Sequence, residues 1–391
     1  MTTIARQAVA TGMDAAYVAG QIVEQLAAPD LKLALVFSDW RLDPRQLAST
    51  YRALRVPVVG GTTVGVVGAK APLGQDGITS IACAVGIGFY GDWLRVGLGV
   101  APELSKSALT RSRDAVNRAA QAIGTTASSL DPARHIAVTV LDGTCGHEEA
   151  FCIGSAAAAP QIRFVGGCTG TVGPSRRDTV WVNGEAMHDA GAVLLLESAL
   201  PFTAVTSTHV VPTDTKTVVT AATGRFIEEL DGYPAAARLR QLVAALGDKL
   251  DEPQPMHTFA RYIDNVPYVR SITRIEDRVI EVAVPIEVGR VLRLMRPGDL
   301  IGTTRRDLAL AAERVGGTMG AFIAFSCHGR HWEARQRHIE RELVDCYAQY
   351  PTIGYETGGE QSGMLLVNHM LVGVAIGAPP VPRARESTNE R

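Results

Sequence analysis

Apolar residues recur along the chain in two rhythms. Short unbroken runs, LALVF, IAVTVL, AVLLL and FIAF, are the pattern of strands buried on both faces. Between them, apolar residues return every three or four positions, the period of a helix with one covered face. From Pro44 to Arg55 the helix is specified locally: Asp43 is placed to cap it, Pro44 suits its first position, and Leu47, Tyr51 and Leu54 share one side. A late helix has Ile339, Leu343, Cys346, Tyr347 and Tyr350 on one side and charged residues on the other. Residues 1–28 are alanine-rich, and their spacing predicts a single amphipathic helix.

Laid against itself, the chain repeats. DWLRVGLGV, LTRSRDAVNRAAQAIG, HIAVTVLDGTCGHEEAF, IRFVGGCTGTVG and DAGAVLLLES are matched in order by GRVLRLMRPG, TTRRDLALAAERVGG, GAFIAFSCHGRHWEAR, PTIGYETGGEQSG and HMLVGVAIG. Each series reads strand, helix, strand, helix-bearing connection, glycine-rich turn, strand. A partial third copy runs from LKLALVFSDW through the helix at 44–55 to VPVVGGTTVGVVG. This order predicts a mixed α/β (α+β) fold of two similar halves, each a buried mixed sheet covered by helices. The halves are expected at 29–209 and 225–378, with a linker over 210–224. The proline-led, charged residues 379–391 are expected to be a disordered tail.

Composition narrows the function. The chain has 391 residues, 46% of them hydrophobic, and 38 basic residues against 40 acidic ones, a balance that argues against nucleic acid as a partner. Six cysteines are too few for a disulfide scaffold and suggest reduced thiols in the cytoplasm. The apolar stretch MLLVNHMLVGVAIG is interrupted by Asn368 and His369 and is too short to span a bilayer, so no membrane role is expected.

Chemistry-bearing residues gather at two places expected to be equivalent strand ends: Cys145 and His147 in DGTCGHEE, and Cys327, His328, Arg330 and His331 in FSCHGRH. Strand ends of this kind present side chains to ligands in α/β folds. The glycine turns add Thr62, Thr63, Cys168, Thr169, Thr357 and Glu360, and with Arg330 as counter-ion the set suits a carboxylate or an amino acid. The plain alternative has Cys327 and Cys168 as small buried hydrophobes and Arg330 paired with Glu340 or Glu342. Three further readings stand beside it. Zinc would use Cys145, His147 and Cys152 with Cys168 or His331, though the spacing lacks a CxxC pair, and no metal site is predicted. Haem would use His147, His328 or His331 as axial ligand. A thiol enzyme would pair Cys327 with His328 or His331.

FSCHGRHWEARQRHIERELVDCYAQYPTIGYETGGEQSGMLLVNHML resembles the C-terminal half of FIST sensory proteins, through Cys327, Arg330, Glu340, Gly354, Thr357, Gly359, Glu360, Asn368 and Leu371. VTAATGRFIEELDGYPA is similar to the start of that half, and LALVFSDW, VPVVGGTTVGVV and IRFVGGCTGTVG to the N-terminal half. The chain departs from the family where Glu356 and Gly358 replace turn aromatics, Met370 replaces a threonine and Gly61 a frequent cysteine. The resemblance implies a small-molecule sensory module with an amino-acid-like ligand, Asn368 joining the ligand set. It implies signalling through a separate partner such as a histidine kinase or cyclase, and, for some members, haem that senses nitric oxide.

Overall fold

In the computed structural model, which describes residues 3–68, 82–170, 177–263 and 266–379, each apolar run is a strand with its two faces in different cores. Leu33, Leu35 and Phe37 enter a central core while Ala34 and Val36 pack under helices. Ile136, Val138 and Val140 join that central core while Ala137 and Leu141 face helices, and Ile323 and Phe325 repeat the pattern against Phe322 and Ala324. Side chains alternate across a strand, so burial on both faces requires an unbroken apolar run.

The mixed α/β class is as expected, but the repeat closes as three complete units. The first has an outer strand Ala5–Thr11, a long helix Ala15–Leu26, an inner strand Leu31–Asp39, a covering helix Pro44–Tyr51, a second strand Val58–Thr63 and a closing strand Cys83–Tyr90. The second unit repeats this with Leu94–Pro102, Leu104–Ala122, His135–Leu141, Glu148–Ala158, Arg163–Cys168 and Ala190–Ser198. The third has Phe202–Ser207, Leu300–Arg314, Met319–Cys327, two covering helices His328–Gln336 and Glu340–Ala348, Thr352–Thr357 and Leu371–Gly377. In every sheet the order is outer, closing, inner, second, with the inner and second strands parallel.

Each sheet is completed by a strand from another unit. Val180–Val182 of the second unit pairs with the first unit's Val58–Thr63, Glu360–Ser362 of the third with the second unit's Arg163–Cys168, and Val66–Gly68 of the first with the third unit's Thr352–Thr357. The exchange is cyclic and ties the three sheets around the central core. Gly60, Gly166 and Gly354 occupy one position of this frame: a Cβ there would stand 1.6, 2.3 and 1.7 Å from the carbonyl oxygens of Val36, Thr139 and Ala324. Gly354→Ala is expected to cost about 1–3 kcal/mol through this overlap. A change below about 0.5 kcal/mol in urea denaturation would contradict it.

Three expectations are corrected. Residues 1–28 are a strand and then a helix, because Gly12 (φ +156°) ends the strand and Asp14 caps the helix through Tyr17 N. The expected linker 210–224 contains the strand Val211–Thr223, where Thr213, Thr215 and Thr217 alternate with polar Asp214 and Lys216, a pattern that suits a half-exposed sheet. The match of GRVLRLMRPG to an outer strand also fails. Val291–Arg296 pairs with Val211–Thr223 in a separate seven-stranded sheet, inserted between the third unit's outer strand and long helix. That sheet curls until Val211–Thr223 also pairs with Phe226–Leu230, and the helix Ala235–Ala245 fills it through Leu239 and Val243. The helix expected at 44–55 is present as Pro44–Tyr51 followed by a 3-10 turn, with Asp43 accepting from Arg45 N and Gln46 N. The expected tail lies, beyond Pro379, outside the described residues.

Candidate functional site

The inserted sheet rests on the strand ends of the second and third units. Its buried Arg270 donates to Leu366 O (2.8 Å) and pairs with Glu149 (3.3 Å). Arg225 pairs with Glu148 (3.5 Å), and Ser271 Oγ meets His369 Nδ1 (3.4 Å).

The glycine frame and the parallel registers make Asp39, Asp142 and Cys327 equivalent, and likewise Thr63, Thr169 and Thr357. Cys145, expected to match Cys327, lies three residues beyond its unit's equivalent position, Asp142, in the loop before the helix Glu148–Ala158. At the axis the turns interlock: Gly170 N donates to Thr62 O (3.1 Å), Gly358 N to Cys168 O (3.3 Å), and Thr63 Oγ1 to Glu356 O (2.9 Å). Thr169 Oγ1 bonds Leu141 O (3.2 Å) and Thr357 Oγ1 donates to Glu360, so all three hydroxyls are engaged.

Among the described residues, only the third unit adds a dense buried polar shell to this frame. Arg330 is fully buried on the helix His328–Gln336, donating to Thr304 Oγ1 (2.6 Å) and to His209 Nδ1 (3.3 Å). One turn on, Glu333 accepts from His209 Nε2 (2.7 Å), His369 Nε2 (3.1 Å) and Arg337 Nη1 (2.7 Å). The two imidazoles stack with ring centres 5.2 Å apart. Burial works to raise the Glu333 pKa, but the two imidazole hydrogen bonds outweigh it and hold the carboxyl well below its usual range. Burial draws His209 down to about 4, against the pull of Glu333.

His209, Glu333 and His369 would group around a metal ion, with their ligand atoms all within 4.8 Å of one another. The hydrogen bond on the far side of His209 opposes it. Arg330 can only donate, so His209 Nδ1 accepts and the ring proton sits on Nε2, the nitrogen a metal would need free. The group is a carboxylate satisfied by three donors.

Glu356 anchors a second cluster, accepting from His328 Nδ1 (2.7 Å) and Arg335 Nη2 (2.8 Å), with His331 Nδ1 at 3.4 Å. Burial opposes ionisation, yet His331, His328 and Arg335 bring the Glu356 pKa down to about 2. Burial lowers His331 to about 4. His331 Nε2 reaches Ser326 Oγ (2.9 Å), so Ser326, His331 and Glu356 are linked in the order of an acyl-transfer triad. Ser326 is fully buried and also bonds Tyr347 OH (3.1 Å), and its counterpart Ser38 meets Tyr51 OH (3.4 Å) with no histidine present. The serine therefore serves first as a strand-to-helix tie common to two units.

Several sequence expectations change here. Cys327 is not paired with His328 or His331, which turn to Glu356. Its thiol lies by Glu360 and is pushed well above its usual pKa by burial and that carboxyl. Burial pushes Cys145 up to about 12 and Cys168 well above its usual value, so these thiols are not primed nucleophiles. Arg330 pairs with neither Glu340 nor Glu342. Haem fits poorly: His328 and His331 are committed to Glu356 and Ser326. His147 is half-buried beside the acidic start of its helix, and cavities of about 330 and 360 Å³ have no histidine in their walls. Thr357, Glu360 and Cys327 do come together, and Asn368 donates from Nδ2 to Gly358 O (3.3 Å). His209, Thr304, Glu333 and Ser326 were not anticipated. Of the shell, the sequence marks Arg330 by its motif and His369 by its place inside an apolar run.

A solved structure described as "cyanuic acid hydrolase from A. caulinodans" is similar over 96% of this chain and 99% of its own, at 10% identity and a TM-score of 0.39. No curated protein matches the chain. The FIST N domain family matches residues 8–233 and the FIST C domain family residues 235–363. Between them they cover nearly the whole length, and the chain belongs to the FIST family.

Proposed function

We propose that this FIST protein is a sensory protein of the cytoplasm that binds a small carboxylate or amino acid at the third unit's strand ends. It would signal to a separate partner such as a histidine kinase or cyclase. FIST domains are associated with sensory signal transduction and small-molecule binding. The observation that carries the site is a pair of buried atoms in the third unit with no hydrogen-bond partner, Arg330 Nε and Asn368 Oδ1. Such atoms are costly to leave unpaired. A carboxylate would supply the acceptor that Arg330 needs, and an amine the donor that Asn368 needs. The asymmetry supports the same place, since three units share glycines and threonines but, among the described residues, one alone adds the buried shell. Six free cysteines agree with a reducing compartment, and no helix among the described residues is long and apolar enough to cross a membrane.

Thermal-shift screening across amino acids and small carboxylates tests the reading. A ligand at about 100 times its Kd adds about 2.7 kcal/mol of stability. Hits are expected to stabilise wild type strongly and Asn368→Ala and Arg330→Lys weakly. Equal stabilisation of Asn368→Ala, or no hit at all, would remove the proposal.

A further inference from the structure

Outside the shell, the third unit's outer strand and long helix enclose a groove of about 330 Å³. The strand Phe202–Ser207 is the end strand of its sheet, leaving one side without a strand partner. Across from it Arg306, Leu310 and Arg314 stand four residues apart on the helix Leu300–Arg314, and so share one face. Leu310 is 41% exposed between the two guanidiniums, and with Val205 it gives the groove an apolar wall. Arg306 is paired with Asp307 (2.9 Å), whereas Arg314 makes no ion pair among the described residues. Thr208 Oγ1, in the same wall, is buried without a hydrogen-bond partner.

These features select a ligand class. Arg306 and Asp307 cancel, so the groove carries one uncompensated positive charge, enough for a monoanion and too little for a dianion. An unpartnered hydroxyl and a guanidinium lining one groove suit a carboxylate head, and the exposed leucine between two arginines suits an apolar tail. Both walls also continue into the buried shell. His209 follows Thr208 directly, and Thr304, which holds Arg330, lies two residues before Arg306 on the same helix.

We propose that this groove binds a monocarboxylate with an apolar tail, and that occupancy shifts the His209–Glu333–His369 cluster through residue 208 and the helix. This site is separate from the one proposed above and goes beyond it.

Octanoate titrated calorimetrically into the full chain is the probe, with acetate, octylamine and inorganic phosphate as comparison arms. Octanoate is expected to saturate at one per chain, and each of the other three to bind at least about tenfold more weakly. Arg314→Ala and Leu310→Asp, both at exposed positions, are expected to weaken octanoate at least about tenfold. Octylamine binding as tightly would reduce the groove to a greasy surface, phosphate binding as tightly would make it a general anion site, and octanoate binding unchanged in Arg314→Ala would place the ligand elsewhere. Each outcome overturns the proposal, as does the absence of saturable binding. The coupling is read by NMR of the histidine rings: octanoate is expected to move the His209 and His369 signals in wild type and not in Arg314→Ala, and signals that stay fixed during saturation would overturn it. Asn368→Ala keeps the two proposals apart, because it is expected to lose the response to amino acids while retaining octanoate.

Discussion

Replacing Glu333 by alanine is expected to destabilise the protein by about 3–5 kcal/mol, the range for removing one partner of a buried charged group. The carboxylate is completely buried and receives His209, His369 and Arg337 at once, so its loss strands two stacked imidazoles beside the buried Arg330. Glu333→Gln keeps the volume and one acceptor and should cost less. The pH dependence gives a second reading of the same group. Its carboxyl is held well below the usual range, so its stabilisation is complete above the unfolded-state value near ~4.3 and is lost as the pH falls through the folded value. His209 and His331, both drawn to about 4 by burial, add to the fall. The unfolded chain protonates these imidazoles near ~6.5 and the folded one only near 4, so stability declines as the pH drops through that interval. Urea denaturation should show a histidine-driven loss from pH 7 to pH 4 in wild type and Glu333→Gln alike, and a further loss below about pH 4 that is present in wild type and absent from Glu333→Gln. A Glu333→Ala protein within about 1 kcal/mol of wild type at pH 7 would show that the cluster is not a structural keystone.

Why the frame was legible in the sequence and the shell was not follows from how each is specified. Strands buried on both faces, such as Leu31–Asp39 and Met319–Cys327, need unbroken apolar runs, so local sequence records them. The helix at Pro44 was equally local, because Asp43 caps it through bonds two and three residues away. The third unit's order is obscured in the sequence because its outer strand and long helix are separated by the insertion, and Val291–Arg296 has the composition of an outer strand. The exchange of strands between units leaves no local trace, since the paired Gln361 and Gly166 stand 195 positions apart. Arg330, Thr357 and Glu360 were found because they lie in a dense motif. His209 stands 124 residues from Glu333, in a stretch with strand-like composition and no marker of its own. A buried charge cluster assembled from distant segments is visible only once the fold brings its members together.

Glu360→Gln is expected to make the protein more stable at pH 8 by a few kcal/mol, a gain that disappears toward pH 5. Burial pushes the Glu360 carboxyl up to about 8, against the hydrogen bonds from the Thr357 hydroxyl and the Met370 amide. In the unfolded chain the same group ionises near ~4.3. Between those values the folded protein holds a proton the unfolded one has released, so stability falls as the pH rises and levels off near pH 8. From pH 6.5 to 8 the folded His209 and His331 are neutral and the unfolded chain finishes releasing their protons, a change that wild type and Glu360→Gln share, so the difference between the two proteins isolates Glu360. Glutamine is neutral throughout and keeps an oxygen for Thr357, so the stability of the variant relative to wild type should grow steadily across the interval. Wild type and Glu360→Gln running parallel from pH 6.5 to 8 would mean that Glu360 is ionised in the folded protein. The position beside Cys327 and Thr357 would then carry a buried negative charge, and an anionic ligand would have to bind away from it.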